Sequence, residues 1–136
     1  MEGEQSCIYQ GKNVKVTLEQ IRQLQLAKAA VRAGIEILLQ KYGLNSFEEI
    51  GRVYLAGGFG FFLDAHAAAG IGLIPKELEG KVKAIGNSAL TGARCFGKEY
   101  LSGKEAGQLV YSDRIESFNL AEEKEFQELY IQYMNF

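Results

Sequence analysis

The clearest pattern in the sequence is helical and lies in the first third of the chain. Over about residues 18–42, apolar residues recur every three or four positions, as on one helix face: Leu18, Ile21, Leu24, Ala27, Val31, Ile35, Leu38 and Tyr42. Thr17 and Gln20 have the spacing of a capping box, in which each side chain accepts a hydrogen bond from the other residue's backbone amide. Gly43 supplies the left-handed conformation that often ends a helix. The pattern predicts one long amphipathic helix.

Two short apolar runs predict strands, and glycine follows each of them directly. Residues 52–56 form an apolar, β-leaning run that is typical of a buried strand, and Gly57-Gly58-Phe59-Gly60 comes immediately after it. Residues 81–85 form a second run, after which Gly86-Asn87-Ser88 turns into a helix that ends near residue 101. Each apolar run, together with the glycines that follow it, therefore predicts a strand, a glycine turn and then a helix.

Weaker patterns predict shorter elements. Residues 6–10 and 13–16 flank a Gly11-Lys12 turn and predict a hairpin or two extended pieces. Asp64 is placed to cap a short helix over residues 65–70, and residues 104–111 are compatible with another helix.

The carboxyl-terminal region is predicted to be extended first and helical afterwards. Residues 115–120 favour an extended segment, and Asn119 and Glu122 have capping-box spacing. The inner face of a terminal helix is marked by Phe126, Leu129, Tyr130 and Tyr133. The alternation of helices and strands indicates an α/β layered fold, with parallel strands joined by right-handed crossovers.

Composition excludes several classes of protein. The chain has 136 residues, 47% of them hydrophobic, with 24% charged residues and a net charge of −2, which suits one domain rather than a disordered chain. No apolar run is long enough to span a membrane, and the amino terminus does not resemble a secretory signal. The nearly neutral net charge does not indicate a nucleic-acid-binding surface. We therefore expect a cytoplasmic protein that binds neither membrane nor nucleic acid.

Cysteine and histidine offer little chemistry. Cys7 and Cys95 are expected to be free thiols, with a disulfide between them as the alternative, and two cysteines alone cannot build a zinc or iron–sulfur site. His66 is the only histidine, and a surface position in the first turn of a helix is favoured over a nucleophilic arrangement with Asp64. No metal site and no iron–sulfur cluster are expected within this chain.

The two glycine turns carry the candidate chemistry. Ligands of open α/β sheets bind just outside the carboxyl ends of the strands, where both turns are predicted to lie. Glycine there has no Cβ, so backbone amides can approach a phosphate or nucleoside directly. Neither turn is a P-loop or a G-x-G-x-x-G fingerprint. The alternative is that both are tight turns that only let helices pack on strands.

Several stretches resemble a known family. Residues 53–60 resemble the adenosine motif of the acetate and sugar kinase/Hsp70/actin superfamily, an apolar strand that ends in paired glycines. More specifically, the chain resembles the C-terminal part of the ATP-dependent reductive activators of corrinoid proteins, which carry a [2Fe–2S] ferredoxin-like domain ahead of it. The matching stretches are residues 21–30, 55–60, 70–75 and 86–93, and the end near 134–136 also fits.

The resemblance implies a fold and a place in a larger protein. The fold would be a partial ribonuclease-H-like (actin/Hsp70-type) lobe, with short strands and helices packed on both faces. Residues 1–136 would form one domain, the C-terminal nucleotide-binding lobe of a longer parent. The chain departs from the family at Gln20, where an aspartate is usual, and at Phe61-Phe62, where a polar residue often follows Phe-Gly.

The resemblance also implies a site for ATP or ADP with Mg²⁺. Its cofactor-binding residues would be Gly57, Gly58, Phe59, Gly60, Lys28, Arg32, Gly86 and Asn87. Lys28 and Arg32 would face the adenine, or alternatively lie as solvent-facing charges on the helix. Phe59 would wall the pocket or pack in the core, and Asn87 would touch the ligand or cap its helix. No general base stands out, so we expect little ATPase activity from the chain alone.

The parent's function follows from the same resemblance. In such a protein, ATP use drives electron transfer that reduces Co(II) to Co(I) in a partner corrinoid protein. Two strands that would neighbour residues 52–56 are missing, and an open apolar edge favours association, so a homodimer or a relocated amino-terminal strand is expected. The alternative function is a non-catalytic interaction or dimerisation module whose glycine turns are only structural.

Overall fold

The computed structural model describes residues 7–103 and 115–136. An antiparallel hairpin of β1 (Cys7–Gln10) and β2 (Lys15–Thr17) leads directly into α1 (Leu18–Lys41), as the sequence predicts. The helix predicted over residues 104–111 lies outside the described residues.

Two strand–helix units follow α1. Strand β3 (Val53–Ala56) continues into α2 (Gly57–Phe62) and then α3 (Ala65–Gly70). Strand β4 (Val82–Gly86) continues into α4 (Ser88–Leu101), and α5 (Lys124–Gln132) lies near the carboxyl terminus and packs on α1. None of the helices in the described part is long and apolar enough to cross a membrane.

The predicted ends of α1 are confirmed. The Thr17 hydroxyl accepts from the Gln20 amide at 3.3 Å, and the Thr17 amide donates to the Gln20 side chain at 2.9 Å. Gly43 has φ +74°, the left-handed conformation expected just past the helix end.

The predicted apolar face of α1 is buried only in part, since Ile21 and Ile35 are half-buried. Leu24, Val31 and Leu38 are exposed, whereas the buried residues are Lys28, Ala29, Ala33, Gly34, Ile37 and Leu39. Most of the buried positions are small, so neighbouring elements approach the helix closely: a Cβ on Gly34 would lie 3.4 Å from Leu120. The other large residues of the periodic set, Leu24, Val31 and Leu38, are left exposed by the described residues.

Within residues 7–103 and 115–136, the strands form two separate two-stranded sheets. β3 and β4 are parallel, as predicted, with Val53 opposite Val82 and Ala56 opposite Gly86 after a bulge. The hairpin pairs only within itself, so within the described residues the amino-terminal strand does not cover the free edge of β3. Parallel strands joined through intervening helices give the α/β architecture.

The core lies between α1, α3 and two short 3-10 helices, Phe47–Glu49 and Lys76–Lys81. One cluster joins Leu39 on α1 to Phe47 and Leu78, and a second joins Ala68, Ala69 and Ile74. Ile35 packs against both clusters, so α1 links the two halves of the core.

Two local predictions need correction, and two are confirmed. The Gly57–Gly60 stretch is the start of a helix rather than a turn, because α2 begins at the residue after β3. The Asn119 side chain accepts from the Ala121 amide and caps a 3-10 helix, whereas the terminal helix α5 begins only at Lys124. No strand forms over residues 115–119, where an extended segment is predicted. Asp64 caps α3 as predicted, since its carboxylate accepts from the Ala67 amide at 2.7 Å. The predicted inner face of the terminal helix is half-buried: Phe126, Leu129, Tyr130 and Tyr133.

Candidate functional site

The two predicted glycine positions meet at one edge of the parallel pair. Because β3 and β4 run in the same direction, Gly57 and Gly86 lie together at the carboxyl ends of the strands, with Ala56 paired to Gly86. Both glycines have positive φ, +86° at Gly57 and +63° at Gly86, which other residues rarely adopt. We call this edge, residues 57–58 and 86–87, the glycine edge.

The backbone of the glycine edge is partly open. A Cβ added to Gly57 or Gly58 would meet no atom within 4 Å. At Gly86 the nearest contact would be the Phe61 ring at 3.8 Å. A ligand can therefore approach the main chain at Gly57 and Gly58 without displacing a side chain.

Gly60 has a packing role. A Cβ there would lie 3.1 Å from the Leu55 Cβ and 3.2 Å from the Leu55 carbonyl carbon, because α2 folds back tightly on β3. Of the predicted site glycines, Gly60 thus fits the structural alternative, while Gly57 and Gly58 face open space.

Phe59 does not pack in the core, since it is 78% exposed. It lies at the mouth of a mainly apolar cavity of about 350 Å³, which it lines together with Phe62, Leu63, Asp64 and residues of α3. The core alternative for Phe59 is therefore wrong, and the aromatic side chain is free to contact a ligand.

Asn87 caps α4. Its side-chain oxygen accepts from the Leu90 amide at 3.0 Å, and its carbonyl accepts from the Thr91 hydroxyl at 3.1 Å. The capping alternative is confirmed, and it fixes the backbone of Asn87 beside Gly86 at the edge.

Lys28 and Arg32 line a second cavity, of about 390 Å³, together with residues of the 69–77 segment and the carboxyl-terminal residues 133–136. The glycines of the edge are not among its lining residues. Lys28 is 2% exposed, so the alternative of solvent-facing charges on α1 is wrong. Its ammonium donates to the Asn135 carbonyl and lies 4.8 Å from the centre of the Phe136 ring.

Arg32 is held by charge and by aromatic rings. Its guanidinium pairs with Glu36 at 2.8 Å and lies 4.9 Å from both the Phe47 and the Tyr133 ring centres. The Tyr133 hydroxyl donates to the same Glu36 oxygen at 2.7 Å. Burial, and after it this hydrogen bond, raise the pKa of Tyr133 above its ordinary value.

Sequence reasoning missed the partners of this second cavity. Glu36 lies one turn after Arg32, so the ion pair could have been found from spacing. Asn135 and Tyr133 are about a hundred positions from α1 and carry no local signal that would place them there.

Side chains that could bind a metal ion do not cluster within the part of the chain that the structure describes. In the described ranges, no three His, Cys, Asp or Glu side chains come together as a metal site. Cys7 and Cys95 are exposed free thiols, so the disulfide alternative is wrong. His66 is exposed, as expected, and its Nδ1 lies 2.8 Å from the Glu79 carboxylate, which raises the pKa of the imidazole.

Comparison with known proteins agrees with the sequence motifs. Residues 3–136 match the family described as the C-terminal domain of RACo, the ASKHA domain. The chain is 38% identical over 123 residues to the corrinoid activation enzyme RamQ of Eubacterium limosum, an alignment that covers 90% of this chain and 20% of RamQ. It thus spans about a fifth of the length of that relative. No solved structure matches the chain. With nearly its whole length matched, the chain belongs to the family of RACo-type C-terminal ASKHA domains.

Proposed function

We propose that this domain binds an adenine nucleotide at the glycine edge and belongs to a protein that activates corrinoid proteins. One observation carries the proposal: in an ASKHA-family chain, two glycines with positive φ lie side by side at the carboxyl ends of parallel strands. That is the position at which open α/β sheets bind their ligands.

The nucleotide would contact mainly backbone. Gly57 and Gly58 would face the ribose and the α-phosphate, since nothing fills the space above them. Phe59 would cover one side of the nucleoside, and Gly86 with Asn87 would bound the other. Mg²⁺ would be held chiefly by the phosphates, as is usual for nucleotide-bound magnesium.

The chemistry of the whole protein would be the reduction of Co(II) to Co(I) in a corrinoid protein. One electron would have to reach the cobalt from a donor outside this chain, and ATP would drive that step. The described residues of this domain offer no positioned general base, so the chain alone would bind nucleotide without turning it over.

A calorimetric titration with Mg·ADP tests nucleotide binding. Gly58→Asp should leave the fold intact, because Gly58 faces open space and has no positive φ. It also lies in the first turn of α2, where a carboxylate is tolerated. The new charge would repel the phosphates. Gly51→Asp is the matched control, since Gly51 is equally open but precedes β3, at the other end of the strand.

We expect millimolar binding by the wild-type chain and by Gly51→Asp, and binding weaker by about tenfold or more in Gly58→Asp, equivalent to about 1.4 kcal/mol. Equal affinities in all three proteins, or no binding at millimolar nucleotide, would reject the proposal. Measurable Mg²⁺-dependent hydrolysis by the isolated chain would reject the inactive role assigned to it.

The proposed role in corrinoid activation is tested by exchanging this domain into RamQ. A RamQ chimera in which this chain replaces the matching fifth of the sequence should still support ATP-dependent formation of Co(I), followed by its absorbance. The same chimera with Gly58→Asp should lose that activity. A chimera that folds, contains the wild-type domain and forms no Co(I) would contradict a shared function.

A second candidate function, an interaction module, is favoured by the surface of α4. No residue of this helix is buried, and it leaves Leu90, Tyr100 and Leu101 exposed, the last by 87%. Apolar side chains presented in this way often mark contact surfaces. Association without nucleotide binding in the titration above would favour this function.

A further inference from the structure

The cavity beside α1 has features that the nucleotide proposal does not use. It is lined by three cationic side chains, Lys28, Arg32 and Lys76, and by the loop before Lys76 and the carboxyl-terminal residues. Its volume of about 390 Å³ falls in the range of small-molecule sites. We call it the Lys28 cavity.

Lys28 is the unusual group in this cavity. An ammonium has three N–H donors, yet within the described residues its one hydrogen-bond acceptor is the Asn135 carbonyl. Gly72 has φ +75°, and a Cβ there would lie 3.6 Å from the Lys28 Nζ, so the glycine leaves room beside the charge. A buried charge without a counter-charge is costly.

The neighbouring carboxylates do not neutralise Lys28. Glu36 is engaged by Arg32 and Tyr133. Glu77 lines the cavity but forms no ion pair with Lys28. Among the side chains, Lys28, Arg32 and Lys76 carry three positive charges against the two negative charges of Glu77 and of Glu36, the ion-pair partner of Arg32, so the side chains have a surplus of one positive charge.

Several of the other lining residues are apolar. Ile71, Ile74 and Pro75 form one wall, and the Phe136 ring lies over the ammonium on another side. The cavity therefore places a surplus of one positive side-chain charge next to apolar side chains, a combination that fits a ligand with one negative group and a small apolar body.

We propose that the Lys28 cavity binds a small organic carboxylate, whose negative group pairs with Lys28 while its apolar part lies against Ile71 and Pro75. The surplus of one positive charge on the side chains favours a monoanionic carboxylate over a phosphate, which carries more charge at neutral pH. Desolvation by burial lowers the pKa of Lys28, and a bound carboxylate would raise it again. The proposal is independent of nucleotide binding at the glycine edge.

Benzoate is a suitable probe because it has one carboxylate and a flat apolar ring. Benzamide has nearly the same shape without the charge, and inorganic phosphate supplies charge without the apolar part. Each is titrated by calorimetry at constant ionic strength into the wild-type chain, Lys28→Met, the control Lys83→Met on the exposed face of β4, and Gly58→Asp.

We expect benzoate to bind the wild-type chain, Lys83→Met and Gly58→Asp with equal millimolar affinity, and Lys28→Met at least about tenfold more weakly. Benzamide should bind the wild-type chain at least about tenfold more weakly than benzoate, which tests the role of charge without any substitution. Equal binding of benzamide and benzoate, or no benzoate binding at all, would overturn the proposal.

Other outcomes would also overturn it. Tighter binding of phosphate than of benzoate would reject the carboxylate assignment. Loss of benzoate binding in Gly58→Asp would place the anion at the glycine edge instead. Unchanged binding in a folded Lys28→Met protein would show that the charge of Lys28 does not hold the ligand.

Discussion

Lys28 and Arg32 lie one helical turn apart, yet they meet different surroundings. Arg32 has a carboxylate and two aromatic rings, whereas Lys28 is buried against a backbone carbonyl. Their spacing on one face of α1 was predictable from the sequence. Their partners were not, because Asn135 and Tyr133 reach α1 from the far end of the chain and no local pattern encodes that contact.

His66 offers a direct test at the scale of one residue. Its hydrogen bond and charge contact with Glu79 raise the imidazole pKa above 6.5. Any stability from this pair is present in full below pH 6.5 and is lost as pH rises through the folded pKa. Because both side chains are well exposed, we expect the change in the free energy of unfolding to be small.

The measurement is an NMR titration of the single histidine. The imidazole pKa should lie above that of a histidine peptide, and Glu79→Gln should return it close to that value. Glu77→Gln is the matched control, since Glu77 lies on the same segment and does not contact His66. Equal pKa values in the wild-type protein and in Glu79→Gln would contradict the contact.

At the scale of elements, local signals predicted much of the structure. Capping side chains and Gly43 predicted where α1 begins and ends and where α3 and α4 begin. Such helix ends depend on contacts within four residues, so a local pattern is enough to place them. The start of α2 was missed because glycine favours turns, and its helix forms here where the chain folds back on β3. The large apolar residues of α1 indicated its buried face only in part, because close packing there selects small side chains such as Ala29 and Ala33.

Gly60 tests the packing of α2 on β3. Gly60→Ala would place a Cβ 3.1 Å from the Leu55 side chain and 3.2 Å from its backbone, so Leu55 or α2 would have to give by a few tenths of an ångström. We expect a loss of about 1–3 kcal/mol in the free energy of unfolding, measured by urea denaturation.

The matched control is Gly92→Ala on α4, where a Cβ would meet nothing within 4 Å. Alanine in an open helical position should stabilise the chain, by about 0.4–1 kcal/mol. Equal effects at the two glycines would contradict the close approach of α2 to β3.

At the scale of the whole molecule, much apolar surface is left uncovered by the described residues. β3 hydrogen-bonds to β4 alone within this part, and Tyr54 on β3 is 53% exposed. The family could be predicted from the sequence because its motifs are short and contiguous. The segment or partner that covers these surfaces could not be predicted. The chain spans only a fifth of RamQ, and a covering partner would leave no recognisable pattern in this sequence.

We predict a homodimer that pairs through the open edge of β3. Light scattering should give twice the 15.1 kDa mass of one chain. Tyr54→Lys should give the single-chain mass, because lysine on an edge strand opposes pairing with another edge. Tyr42→Lys is the control, since Tyr42 is also an exposed tyrosine but lies at the end of α1. A wild-type protein of single-chain mass would contradict the prediction.

The most direct test of nucleotide binding at the glycine edge is an NMR titration of the backbone amides with Mg·ADP. Glycine amides fall in a well-separated region of the spectrum, so each position can be followed. The proposal predicts saturable shifts at Gly57, Gly58 and Gly86, with Gly43 and Gly51 unchanged. Shifts confined to the Lys28 cavity, or no shifts at millimolar nucleotide, would contradict it.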